Sequence, residues 1–324
     1  MGCSPSKHLG TERRNKEARK SIQYSSHKES RELADGPDFL HPYRDPKSID
    51  DYHTFPLDGQ DIASVSDKQL LHAYSTAPRL HHYSGIMITR ISKSMVIKGG
   101  LSIAKSESEN MILASETLHL PVPKVHRTFT ANIPDILETK EASGHFIVMD
   151  YIAGPTVEEC WHSLDRDSRE SVARQVADII EKMQSRHPND LPIGPLGRGR
   201  DQKFEGPFRT LGDLEAWCNH KIDVCVQVHQ LPAGTPRFQF QDVVFTHQDI
   251  SPRNLVLDEN KKVWIIDWGC AGVYPRGFEQ AVLRLQSSND DFADMVLARL
   301  SDQQKEMTEQ YAGITYGLST GRLL

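Results

Sequence analysis

The sequence predicts an α+β chain in two lobes, a small β-rich N-terminal lobe and a larger, mainly helical C-terminal lobe. Three observations lead there. Ile86 to Ile91 and Met95 to Lys98 are apolar, β-prone runs separated by the polar turn Ser92-Lys-Ser94. Leu255-Val-Leu257 and Val263-Trp-Ile-Ile266 repeat that pattern around Asp258-Glu-Asn-Lys-Lys262. Between these pairs, Val172, Val176, Ile179, Ile180 and Met183 form a stripe with helical spacing. A chain of 324 residues, 38% hydrophobic and 25% charged, is long enough to build both lobes.

Taken in order, residues 1–75 are expected to be a disordered tail with at most a short helix. They are rich in Ser, Lys, Arg, His, Asp and Pro and carry too few aliphatic side chains to offset chain entropy. The opening Met1-Gly-Cys-Ser-Pro-Ser6 fits the acylation pattern in which Gly2 takes myristate, with Cys3 beside it for palmitate. One myristoyl chain holds a protein only reversibly, with a partition constant on the order of 10⁴ M⁻¹, so a second signal is needed. Lys7, Arg13, Arg14, Lys16, Arg19 and Lys20 outnumber Glu12 and Glu17. Each basic residue near an anionic leaflet adds about 1 kcal/mol. The expectation is a cytoplasmic protein held peripherally on the cytoplasmic face of a membrane, with the membrane surface as a partner.

Residues 76–149 form the expected N-terminal lobe and 150–324 the C-terminal lobe. After the first strand pair, Ser106 to Thr117 reads as a helix that stops before Pro121. Phe146-Ile-Val-Met149 reads as a buried strand, broken into a connector by Asp150-Tyr-Ile-Ala-Gly154-Pro155. Asp167-Ser-Arg-Glu170 has capping-box spacing and opens the amphipathic helix. Further helices are expected over 278–285 and 290–311. Ile193 to Gly199 and Gly206-Pro-Phe208 read as loops without chemistry, because no strand-to-helix junction accompanies them. His187, His220 and His229 are scattered and read as surface residues.

Composition excludes several classes. A net charge of −6 gives no reason to expect nucleic acid as a partner. The five cysteines have no metal-ligand spacing and no secretory leader precedes them, which favours a reducing compartment over a disulfide framework. No run of about 18 apolar residues offers a membrane span.

The chemistry concentrates between His247 and Asp267, where one window holds His247, Asp249, Asn254 and Asp267. Transfer of a γ-phosphoryl group asks little covalent help of a protein. It needs magnesium bridging the phosphate oxygens and a carboxylate set against the attacking hydroxyl. His-x-Asp-x-x-x-x-Asn supplies those groups: Asp249 as the base, the Asn254 amide oxygen as a magnesium ligand, and His247 as a brace. The hairpin at 255–266 brings Asp267 back beside Asn254 as the second magnesium ligand, and Gly269 lets the chain turn away. The expected cofactors are ATP and Mg²⁺.

His247-Gln-Asp-Ile-Ser-Pro-Arg-Asn254 followed by Ile265-Ile-Asp-Trp-Gly-Cys-Ala-Gly272 resembles the aminoglycoside phosphotransferase family, which is similar to protein kinases in fold. Ile147-Val-Met-Asp-Tyr-Ile-Ala-Gly154 and Gly206-Pro-Phe208 resemble fungal phosphotransferases of that family. The likeness covers roughly residues 80–290. Protein kinases carry Asp-Phe-Gly and usually a Lys two residues after the base, where this chain has Asp-Trp-Gly and Ser251. The resemblance therefore implies a hydroxyl of a small molecule as acceptor. It also implies that Lys98 binds the ATP phosphates, braced by Glu109 or, two residues away on the same helix, Glu107; spacing to the segment at 120–124 favours Glu109. Main-chain groups from Met149 to Tyr151 would take the adenine edge, and the last helices would wall the acceptor pocket. No Gly-x-Gly-x-x-Gly loop precedes Lys98, which leaves a catalytically silent, membrane-tethered pseudokinase as the alternative, ahead of a protein kinase.

Overall fold

The computed structural model describes residues 54–83, 85–135, 140–185, 191–195, 208–286, 290–302 and 304–319. All of them fall within one compact unit, Asp45–Leu324. The acylation signal at Gly2 and Cys3 and the basic cluster after it lie outside the described residues.

The N-terminal lobe begins earlier than composition suggests. Helix α1 (Asp67–Thr76) opens with a capping box in which Ser66 and Gln69 satisfy each other's backbone amides. It is followed by a five-stranded antiparallel sheet of β1 (Arg79–Tyr83), β2 (Ile86–Arg90), β3 (Met95–Gly100), β4 (Val125–Asp135) and β5 (Lys140–Asp150), in the order β1-β2-β3-β5-β4. Leu57, Ile62, Val65, Leu70, Ala73 and Tyr74 are buried with Ile91, Ile97, Phe129, Phe146 and Val148. Residues 54–75 are thus part of the fold, correcting the expected tail boundary at 75. Their few apolar side chains are spaced to meet one sheet face, and Arg127 on β4 ties the segment down through Asp67 Oδ1 and the Val65 carbonyl, both at 2.5 Å.

Strand alternation then divides β3. Ile97 points into that core, while Val96 belongs to the cluster shared with the C-terminal lobe, and Lys98 follows Val96 on the same face. The sequence places Lys98 at a strand end; in the structure it is interior, paired with Ile88 and Ile147. The β1–β2 hairpin, which the sequence pattern does not announce, turns at Gly85, whose carbonyl packs where a side chain on Gly100 would start: a Cβ there would sit 1.9 Å from it. Gly100 (φ 140) therefore allows the hairpin to close over β3.

Helix α2 (Lys105–Ile112) continues through a wider π-type turn, Leu113–Thr117, in agreement with the predicted helix. The short α3 (Val157–Cys160) and the long α4 (Arg166–Gln184) follow the connector. The cap of α4 is Asp165, whose side chain accepts from the Ser168 amide, so the helix starts before the predicted box at Asp167. Its predicted stripe is buried throughout. The short β6 (Gly194–Pro195) precedes α5 (Leu211–Gln227), which packs with α6 (Phe278–Gln286), α8 (Lys305–Gly313) and α9 (Thr315–Leu318) around Phe278 and Tyr311. The expected single helix over 290–311 is two, α7 (Asp290–Leu297) and α8. Between them the chain turns at Leu300 to Asp302, where the Ser301 amide is taken by Glu181 and Gln304 adopts φ 44.

Strands β7 (Val243–Thr246) and β10 (Gly272–Pro275) pair antiparallel, with Thr246 opposite Gly272. Everything between them is therefore delivered to one end of that pair. It includes the hairpin of β8 (Leu255–Leu257) and β9 (Val263–Ile265), as the sequence predicts, with Asp258 capping the turn through the Asn260 and Lys262 amides. No helix among the described residues is long and apolar enough to cross a membrane.

Candidate active site

The loop from His247 to Asn254 is held from three sides. His247 is fully buried; its Nδ1 accepts from the Asp249 amide (3.2 Å), so Nε2 carries the proton and donates to the Ile266 carbonyl (3.1 Å). Burial lowers its pKa to about 4, which keeps it a neutral brace in the role the sequence assigned. Glu279, in the first turn of α6, accepts from the successive His247 and Gln248 amides at 2.6 and 3.0 Å. That carboxylate holds the loop in a bend where Gln248 takes φ 62, a left-handed conformation costly for a residue with a side chain. Burial raises the Glu279 pKa to about 7 against the pull of those amides. Nothing in the sequence singles Glu279 out.

Asp249 projects from this loop and is mostly buried. One carboxylate oxygen accepts from Asn254 Nδ2 (2.8 Å) and the other from Arg253 Nη2 (2.5 Å). Burial pushes its carboxyl above the ordinary range, and Arg253 pulls it partly back. Both bonds of the Asn254 side chain are donated by nitrogen, to the Asp249 carboxylate and carbonyl, which leaves Oδ1 without a donor among the described residues. The Ile266 amide donates to the Asn254 carbonyl (3.0 Å), fixing Asp267 one residue beyond.

Asp267 itself takes φ 65. The sequence suggests the chain reversal at Gly269; the left-handed residue is Asp267, and Gly269 lies instead against Glu107, whose Oε2 is 3.5 Å from where a glycine Cβ would stand. Trp268 explains the departure from Asp-Phe-Gly. Its ring is fully buried, edge-on to His247 (4.7 Å between centroids), with the indole N–H on the Ile265 carbonyl.

Lys98 reaches across the cleft. Its ammonium bonds Glu107 Oε1 at 2.5 Å and Asp267 Oδ1 at 2.7 Å. Burial disfavours that charge, but Glu107 and Asp267 outweigh it and leave the pKa above that of an ordinary lysine. Lys98 in turn holds the Asp267 carboxyl below the usual range. The expected partner Glu109 is corrected to Glu107. Glu107, Asn110, Met111 and Ala114 share one helical face that points inward, whereas Glu109 is exposed and pairs with Lys105 at 3.2 Å. Asn110 adds a second tie between the lobes, donating to the Trp268 and Ala271 carbonyls at 3.1 and 3.0 Å.

The connector after β5 narrows the expected main-chain contacts. The Tyr151 amide already donates to the Ser94 carbonyl (2.8 Å) and the Asp150 amide to Lys124, so neither is open to a base. The Tyr151 ring stacks under Arg90, 3.9 Å away. Met149 is buried at the end of β5, opposite Val96.

Residues 106–314, more than half of the chain, match the model of a phosphotransferase enzyme family. The chain belongs to that family. No functionally curated protein matches it. Among solved structures, this phosphotransferase is similar to aminoglycoside phosphotransferase APH(4)-Ia, at 14% identity over 79% of this chain and 92% of that one, with a TM-score of 0.52. It is also similar to a thermostable mutant of that enzyme in ternary complex with ADP and hygromycin B, at 14% identity over 79% and 92%, with a TM-score of 0.51. These likenesses establish the kinase-like α+β fold.

Proposed function

We propose that this phosphotransferase moves the γ-phosphoryl group of ATP to a hydroxyl of a small molecule. The observation that carries the reading is convergence: Lys98 from β3, Glu107 from α2 and Asp267 after β9 meet in one ion-paired chain, with Asp249 and Asn254 on the adjoining loop. Asn254 Oδ1 and the half-exposed Asp267 carboxylate are hard oxygen donors, which suits magnesium held by few protein ligands and completed by phosphate. When bound, that ion neutralises charge building on the phosphate oxygens.

The chain's own part is positioning and proton transfer. Lys98 orients the phosphates; the Ile152 N–H, which has no hydrogen-bond partner among the described residues, is the donor open to the adenine edge. Asp249, kept basic by burial, takes the acceptor's proton as oxygen attacks phosphorus. The acyl signal at Gly2 and Cys3 gives this activity a membrane address through lipid rather than a spanning helix. Equal partition of the wild type and Gly2→Ala between membrane and cytosol would remove that part of the proposal.

The site reading is tested by nucleotide binding. Asp267→Asn should abolish the magnesium-dependent gain in ATP affinity while leaving metal-free binding nearly unchanged in titration calorimetry. An undiminished magnesium effect would contradict the assignment of Asp267.

A further inference from the structure

Two cations of the cleft, Lys98 and Arg253, are placed very differently. The Lys98 ammonium is buried and committed to two carboxylates. The Arg253 side chain is 47% exposed and spends one N–H on Asp249 Oδ1. Among the described residues its guanidinium has no other partner, so four of its five donors are open. Its backbone cannot drift: Pro252 and Asn254 on either side are buried, and the Asn254 amide closes a tight turn onto the Ser251 carbonyl (2.9 Å). Only the side chain is free to move, beside the base and within electrostatic reach of Asp267. Ser251, two residues after Asp249, is 1% exposed and uncharged, so it supplies no cation on that side.

We propose that Arg253 is a catalytic residue, moving from Asp249 onto the transferring phosphoryl group when magnesium and ATP occupy the cleft. The inference rests on the phosphotransferase reading of the site. In the transfer, the acceptor oxygen forms a bond to the γ-phosphorus and the bond from that phosphorus to the β–γ bridging oxygen breaks. The electron pair leaves with ADP and the acceptor's proton passes to Asp249. Negative charge spreads over the equatorial oxygens meanwhile, and a planar guanidinium can give two of them parallel N–H donors. The same movement frees Asp249 Oδ1, which Arg253 covers in the resting cleft, so the base is uncovered only when a γ-phosphoryl group is there to draw the cation away.

The test separates contact with the transferring group from a merely structural role. Binding of Mg·ADP is measured with and without aluminium fluoride, a mimic of the group in flight, for the wild type, Arg253→Met and Arg253→Lys, with thermal unfolding confirming that each variant folds. The wild type should gain on the order of 10²-fold in affinity from the fluoride. Arg253→Met should bind Mg·ADP within about twofold of wild type and lose most of that gain, and Arg253→Lys, which keeps the charge without the fork, should fall between. A gain in Arg253→Met equal to wild type, or no gain in a wild type that binds Mg·ADP, overturns the role of Arg253. Failure of the wild type to bind Mg·ADP at all would instead remove the phosphotransferase reading beneath it.

Discussion

The two reactive carboxylates, both in the C-terminal lobe, are held by opposite means. Across the cleft, Asp267 is tied by charge: Lys98 sits between it and Glu107, so the N-terminal lobe is registered against the C-terminal lobe by an ion-paired chain buried at Lys98 and Glu107 and half-exposed at Asp267. Within the C-terminal lobe, Asp249 is placed by a second carboxylate that meets no cation among the described residues. Glu279 binds only backbone amides, and one of its oxygens has no partner among those residues. An ion pair across two lobes can open and close with what is bound between them. Amide donors folded around a buried carboxylate fix one conformation, which suits a base that must not move. On the proposed reading, the difference separates a clamp for nucleotide from a scaffold for chemistry.

Breaking the clamp has the largest expected effect. Glu107→Ala leaves Lys98 with one carboxylate and lets the phosphates shift, so kcat/KM for ATP should fall about 10²-fold. Glu109→Ala, which removes an exposed pair with Lys105, should stay within about twofold. Steady-state kinetics on the two variants compares them directly, and equal losses would contradict the assignment of Glu107.

The scaffold should respond in a graded way. Glu279→Ala orphans two amides and should cost turnover about tenfold or more, while Glu279→Gln, which keeps one acceptor oxygen, should recover most of it. The pH dependence of stability has a definite sign here. Folding raises the Glu279 pKa from the usual 4.5 to about 7, so the native state holds that proton more tightly than the unfolded chain. Its contribution is full below about pH 4.5 and is lost as pH rises toward 7. Melting temperature should therefore decline across that window in the wild type relative to Glu279→Gln. A parallel pair of curves would show that Glu279 does not titrate there.

The smallest effect belongs to the connector. Arg90→Met removes a cation stacked on Tyr151 and should cost about 0.5–1 kcal/mol in denaturant unfolding, with little change in turnover.

What was legible in the sequence was local. His247, Asp249, Asn254 and Asp267 stand in one window, and the hairpin between the last two is written in alternating apolar and turn residues, so their convergence could be read without coordinates. Glu107 was legible too, through its inward face with Asn110, Met111 and Ala114, but spacing to a distant segment suggested Glu109 instead. Glu279 leaves no such trace. It lies about thirty residues beyond the loop it holds, and only the β7–β10 pairing brings α6 beneath the loop. The stretch 54–75 was hidden by composition, since Leu57, Ile62, Val65 and Leu70 are sparse among polar residues yet each is buried.

The central claim is that Asp249 is the base of a phosphoryl-transfer site. Its most direct test is magnesium-dependent ATP consumption over a panel of amino alcohols, sugars, aminoglycosides and lipid head groups, with Asp249→Ala as the blank and Mg·ADP binding measured alongside. The prediction is consumption stimulated by at least one acceptor, reduced about 10²–10⁴-fold in Asp249→Ala, with Mg·ADP affinity preserved. Undiminished acceptor-stimulated turnover in Asp249→Ala would contradict it.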